Sequence, residues 1–99
     1  MVKIVWTEIS VADLKDIFEY IVQDSARYAT ITVNKMYQRA QMLANNPDLG
    51  RIVPEFSDKS IKELIEGNYR IIYRIKNEEE IHILRVYHTS RLLKKNMIR

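Results

Sequence analysis

Arginine recurs where this chain reads as strand: Arg70 and Arg74 in Tyr69-Arg-Ile-Ile-Tyr-Arg-Ile75, Arg85 in Ile81-His-Ile-Leu-Arg-Val-Tyr-His88, and Arg91 just beyond. A guanidinium is costly to bury unpaired, and its planar fork suits carboxylates and phosphates. Arginines alternating with isoleucines therefore predict a sheet face built to meet something anionic, with Glu63 and Tyr87 on it. His88 falls where the last strand ends, beside Thr89, Ser90 and Arg91. It is the histidine placed to reach a ligand and to exchange a proton near neutral pH. His82 is read as structural. The two histidines, six residues apart on one strand, stand roughly 20 Å apart and cannot share a metal. The chain has no cysteine, no glycine-rich phosphate loop and no serine nucleophile motif, so neither a metal nor a cofactor is predicted. Asp13 and Asp16 lie on an amphipathic helical pattern and are read as solvent-facing.

The elements that position these residues follow from periodicity. Val2–Trp6 is short, apolar and β-branched, hence a strand. Thr7 or Ser10 can cap a helix whose apolar face is Val11, Leu14, Ile17, Phe18 and Ile21. Ser25 can cap a second helix with the stripe Ala29, Val33, Met36, Tyr37, Ala40 and Leu43, stopped by Asn45-Asn46-Pro47. The two form an antiparallel hairpin. A long connection, Asp48 to Ser60, is pinned by its apolar residues. A three-strand meander follows, turning at Gly67-Asn68 and at Asn77–Glu80, and Thr89 or Ser90 can cap a short basic helix at the C-terminal end. The fold class is α+β: N-terminal strand, helix hairpin, three-stranded antiparallel meander and C-terminal helix, in one domain over residues 1–99, with the helices on one sheet face.

The turns fix a predicted register. Gly67-Asn68 pairs Glu66 with Tyr69, Ile65 with Arg70 and Leu64 with Ile71; the second turn pairs Arg74 with Ile83, Ile72 with Arg85 and Arg70 with Tyr87. Strand alternation then puts Leu64, Ile71, Tyr73, Ile75, Leu84 and Val86 toward the helices. Glu63, Arg70, Arg74, Arg85 and Tyr87 lie on the opposite face, among Ile61, Ile65, Ile72, Ile81 and Ile83.

Composition sets the remaining bounds. A hydrophobic fraction of 46% with 29% charged residues is that of a soluble globular protein. The absence of cysteine fits a reducing cytoplasm. Met1–Trp6 is too short an apolar stretch for a signal peptide, and no run reaches the ~18 apolar residues of a membrane span. Residues 1–58 carry six Lys/Arg against eight Asp/Glu, whereas residues 59–99 carry ten against five. The basic excess thus sits in the meander and tail, as a footprint for nucleic acid or an acidic partner would.

The order of motifs resembles the RelE/ParE superfamily of type II toxin–antitoxin toxins. It runs Trp6-Thr-Glu8, Ala12-x-Leu14, Tyr20-Ile21, Asp24-Ser25, Pro47-x-x-Gly50-Arg51-x-Val53-Pro54-Glu55, Lys62-Glu63-Leu64, Gly67-Asn68-Tyr69-Arg70-Ile71-Ile72-Tyr73 and Val86-x-His88-x-x-Arg91. The resemblance covers almost the whole chain. It implies a cognate antitoxin that docks on the face of Glu63, Arg70, Arg74, Arg85, Tyr87 and Arg91, and no cofactor. It also implies one of two modes of growth arrest. In the RelE mode, mRNA is cut on the ribosome without metal; Arg70 matches the family's strand arginine and His88 a histidine catalytic in some relatives. Ile61 and Glu63 stand where RelE-like enzymes carry lysines, and Thr89 where an arginine or tyrosine often donates the proton. The Gly50–Glu55 loop and Lys62-Glu63-Leu64 resemble the ParE side, which poisons DNA gyrase and serves plasmid stabilisation; that reading is favoured. A non-toxic module whose basic end contacts nucleic acid is the third class.

Overall fold

A computed structural model describes residues 1–91 and residue 98. Five strands and two helices are arranged as β1 (Lys3–Trp6), α1 (Glu8–Val22), α2 (Ala26–Gln41) with a 3-10 turn at Met42–Ala44, β2 (Arg51–Ile52), β3 (Ile61–Glu66), β4 (Tyr69–Ile75) and β5 (Glu80–His88). The strands form one mixed sheet in the order β1-β5-β4-β3-β2, antiparallel except for β1, which runs parallel to β5. The predicted C-terminal helix falls outside the described residues.

Caps set the helix boundaries. Thr7 is extended, and its hydroxyl accepts from the Ser10 backbone N–H at 3.1 Å while donating to the Ile83 carbonyl at 2.8 Å. The one side chain both starts α1 and ties it to β5. Thr7→Ala is expected to cost about 1–2 kcal/mol, read as a lowered urea midpoint at unchanged m-value. Ser25 starts α2 by accepting from the Tyr28 N–H at 3.0 Å. Ser10, the other predicted cap, lies inside α1, fully buried, its hydroxyl donating to the Thr7 carbonyl.

Met36 and Ala40 of α2 and Leu43 of the following turn bury against Leu64, Ile71, Tyr73, Ile81, Ile83 and Val86 of the sheet, with Leu14 and Ile17 of α1 at the edge of this core. Val11, expected on the α1 contact face, is 52% exposed; the face is rotated toward Ser10, Leu14 and Ile17. Gly67 adopts φ +58° in the β3–β4 turn, the left-handed conformation a two-residue hairpin requires.

The β3–β4 register is as the turn dictates, from Glu66↔Tyr69 to Ile61↔Arg74. On β5 the predicted pairs Arg70↔Tyr87 and Ile72↔Arg85 form, but Arg74 faces His82 rather than Ile83. A bulge between Ile72 and Tyr73 inserts Leu84 as an extra residue, and one extra residue reverses the alternation beyond it. Ile81 and Ile83 consequently enter the helix-side core, while Leu84 turns to the other face. That other face is covered. Val53 and Phe56 of the 48–60 connection, with Ile98, pack over Ile61, Ile72 and Tyr87 as a second core. The connection also contributes β2, an edge strand on β3 that the sequence did not predict.

Candidate functional site

Arg70 is the centre of the second face. The strand pleat puts it beside Glu63, diagonally across the β3–β4 pair, and the covering connection brings Glu55 over it. Its Nε donates to Glu63 Oε1 at 2.6 Å, and its Nη1 and Nη2 each donate to a Glu55 carboxylate oxygen at 2.8 Å. Nη1 also donates to the Arg91 carbonyl at 3.0 Å. Arg51 Nε holds the second Glu63 oxygen at 2.8 Å. Arg70 is 5% exposed and Glu63 1%. The hydrogen bonds Arg70 donates to Glu55, then the one it donates to Glu63 together with the charges of both carboxylates, raise the Arg70 pKa against the opposing effect of burial. The result is an alternating chain, Arg51–Glu63–Arg70–Glu55, that is electrically neutral, with Glu63 and Arg70 buried and Arg51 at its exposed end.

Around this centre the other predicted residues have separate environments. Arg74 lies 3.9 Å from Asp58 and donates to Ser60 Oγ at 3.3 Å, at the open rim. Arg85 reaches past the sheet edge to α1, where its Nε and Nη2 grip the two Asp13 oxygens at 2.8 and 3.0 Å. Asp13 Oδ2 also accepts the Val86 backbone N–H at 2.9 Å, beyond the point where β1 stops pairing with β5. The Arg85 and Arg91 guanidinium groups both lie over the Tyr87 ring, 4.6 and 4.8 Å from its centroid. Burial pushes its phenol pKa up. His88 is exposed, edge-on to Tyr69 at 5.8 Å, with Nδ1 accepting from the Ser90 N–H at 3.2 Å.

With this geometry in view, comparison with known proteins is decisive. The family model described as the ParE toxin of the type II toxin-antitoxin system, parDE, matches residues 4–93. The chain belongs to the ParE toxin family. A curated relative of this ParE-family chain, Toxin RelE2 of Caulobacter vibrioides, is 30% identical over 92 residues, covering 93% of the chain and 100% of that protein. Among solved structures, the chromosomal ParDE TA system from P. aeruginosa superposes with a TM-score of 0.73 at 25% identity, over 89% of this chain and 96% of that one. The RelBE2 toxin-antitoxin complex from Mycobacterium tuberculosis shares the fold, with a TM-score of 0.61 at 22% identity over 88% and 96% of the respective chains. The ParE-family chain is thus a type II toxin–antitoxin toxin of the ParE/RelE group. Among its described residues no helix is long and apolar enough to cross a membrane.

In this ParE-family chain the predicted residues do not converge on one point. Tyr69 pairs with His88 and Arg70 with Tyr87, so strand alternation places Arg70 and His88 on opposite faces of the sheet. Arg70, Glu63 and Tyr87 are buried beneath the connection; Arg74 and Arg91 lie at its margin; Arg85 belongs to the α1 edge. The open Ile/Arg docking face predicted from the strands is therefore closed over by the chain's own loop. Sequence reasoning overlooked two anchors, Glu55 and Asp13. Helical periodicity puts Asp13 in solvent because it reveals a flank, not the strand edge beside it. Asp13→Ala is expected to cost about 2–3 kcal/mol, removing the carboxylate that holds Arg85 by two bonds and leaving the Val86 N–H without its acceptor. Arg85→Met in the same chain should recover part of that loss, a non-additivity measurable in a urea double-mutant cycle.

Proposed function

We propose that this toxin acts in the cytoplasm as a ParE-like inhibitor of DNA gyrase, held inactive by a cognate antitoxin encoded with it. The observation that carries this reading is the separation of Arg70 from His88. Metal-independent RNA cleavage needs a base at the ribose hydroxyl and a cation at the developing phosphate charge within a few ångströms of one another. Here Arg70 gives its donors to Glu63, Glu55 and the Arg91 carbonyl, and His88 faces the other way. Thr89 supplies no acid beside it. Binding to a protein target makes no such demand. The family match and the P. aeruginosa ParDE likeness support the same side.

The test is purified toxin added to gyrase and relaxed plasmid. Blocked supercoiling, or accumulated gyrase–DNA cleavage complexes, is the expected outcome. Undisturbed gyrase together with mRNA cut in a translation extract would instead establish the RelE-like ribonuclease, which the Caulobacter relative's name favours. Expression without the antitoxin should arrest growth, and co-expression of the antitoxin should restore it.

A further inference from the structure

Arg74 is the strand arginine that the chain does not satisfy. Arg70 is held by Glu63 and Glu55, and Arg85 by Asp13. Arg74 has no carboxylate within hydrogen-bond distance among the described residues. Asp58 Oδ2 stands 3.9 Å away, and the bond Arg74 Nη1 donates to Ser60 Oγ is long at 3.3 Å. Asp58 Oδ1 is turned to Ser60, accepting its N–H at 2.9 Å and its hydroxyl at 2.7 Å. That carboxylate therefore serves the turn before β3, and the Arg74 side chain is left 39% exposed.

Beside Arg74 a pocket of about 580 Å³ opens. Its floor is the margin of the second core: Phe56, Ile61 and Ile98, which keep a trace of exposure where Val53 and Ile72 of the same core have none. Its rim carries Ser57, Asp58, Lys59 and Arg74. Lys59 is exposed and makes no ion pair among the described residues. Two cations thus meet one carboxylate at the rim. No acidic residue follows Glu80 in the sequence, so the segment around Ile98 supplies none. The pocket is apolar below and net positive above. Ile61 and Arg74 are directly opposed across β3 and β4, which sends their side chains out of one face about 5 Å apart. In an extended chain, residues i and i+2 also share a side, about 7 Å apart.

We propose that this pocket docks an extended segment of a protein partner, which seats an apolar side chain on Phe56, Ile61 and Ile98 and sets a carboxylate, two residues away, on Arg74. The charge of the rim selects the carboxylate, and the floor selects its apolar neighbour. A nucleic-acid strand fits less well. It carries a charge on every nucleotide, against Asp58 as well as Arg74, and no aliphatic side chain for the floor. Docking here leaves the buried Glu63–Arg70–Glu55 chain in place and does not depend on which target the toxin poisons.

The full chain, isotope-labelled and titrated with acetyl-Gly-Leu-Ala-Glu-Gly-amide to millimolar concentration while its amide resonances are followed by NMR, provides the test. Shifts confined to the pocket residues are expected. Peptides with Gln in place of Glu, or Ala in place of Leu, should bind more weakly. Arg74→Gln, at a rim position that should leave the melting temperature nearly unchanged, should weaken the parent peptide by about two- to fivefold, and Arg74→Lys should keep most of the affinity. Equal binding of all three peptides, unaltered affinity in Arg74→Gln, shifts scattered over the surface, or no shifts at millimolar peptide would overturn the proposal. Tighter binding of tetrathymidylate at the same residues would overturn it in favour of a nucleic-acid strand.

Discussion

Arg70→Ala is expected to remove about 3–5 kcal/mol of stability, the cost of leaving a buried charge without its partner. Glu63, 1% exposed, would retain only Arg51 at its outer oxygen, and Glu55 would lose its bidentate grip. In a domain of this size the whole margin is about 5–15 kcal/mol, and each kcal/mol moves the melting temperature by about 4–8 °C. A fall of well over about 10 °C in a thermal melt should follow. Arg70→Lys should fall between, since an ammonium keeps the charge but loses the fork. The joint change Arg70→Met with Glu63→Met removes both buried charges and should recover part of the loss, Glu55 still lacking its bidentate partner. This variant also separates structure from chemistry. Toxicity restored along with stability would make Arg70 a positioning residue; a stable but harmless protein would mean that the Arg70–Glu63 pair itself is needed against the target.

Gly50→Ala should be as severe for a different reason. A Cβ at this position would lie 2.5 Å from the Glu63 backbone oxygen and 2.6 Å from the Tyr73 hydroxyl. Neither can yield cheaply: one is sheet backbone, and the other belongs to a fully buried ring whose hydroxyl accepts from the Gly50 N–H at 3.0 Å and donates to the Pro47 carbonyl at 2.9 Å. Overpacking together with two broken buried hydrogen bonds is expected to cost about 3 kcal/mol or more. The urea midpoint should drop, and amide exchange should accelerate in β2 ahead of the rest of the sheet. Gly67→Ala makes the contrast. Nothing stands within 4 Å of its would-be Cβ, so only the left-handed backbone is penalised, by about 1–2 kcal/mol.

These two sites mark what the sequence made legible. Helix caps and stripes, the Gly67-Asn68 hairpin and its register were readable because each depends on residues a few positions apart. The bulge at Leu84 was not, since one inserted residue leaves no mark in an apolar run, and it exchanged Ile81 and Ile83 with Leu84 between faces. β2 was hidden for a related reason: two residues, Arg51 and Ile52, are too few to show alternation, and the strand exists because Gly50 permits close approach to Glu63. The arginines were rightly singled out as needing anions. Their partners, Glu55 and Asp13, come from a loop and a helix whose distance in sequence gave no hint of contact. The sheet face that looked open to another molecule is satisfied largely from within the chain.

The parallel pairing of β1 with β5 has a consequence for how the toxin comes into being. Among the described residues Lys3–Trp6 finds its one strand partner at Glu80–Ile83, and the hydroxyl that caps α1 at Thr7 reaches Ile83, 76 residues downstream. The first strand made during translation thus waits for the last. Until that last strand leaves the ribosome, the opening strand has no partner and α1 lacks its anchor, so the sheet cannot close piecemeal as synthesis proceeds. Such long-range closure makes folding late and slow. A nascent chain interrupted just before residue 80 would carry most of the toxin's sequence without its architecture.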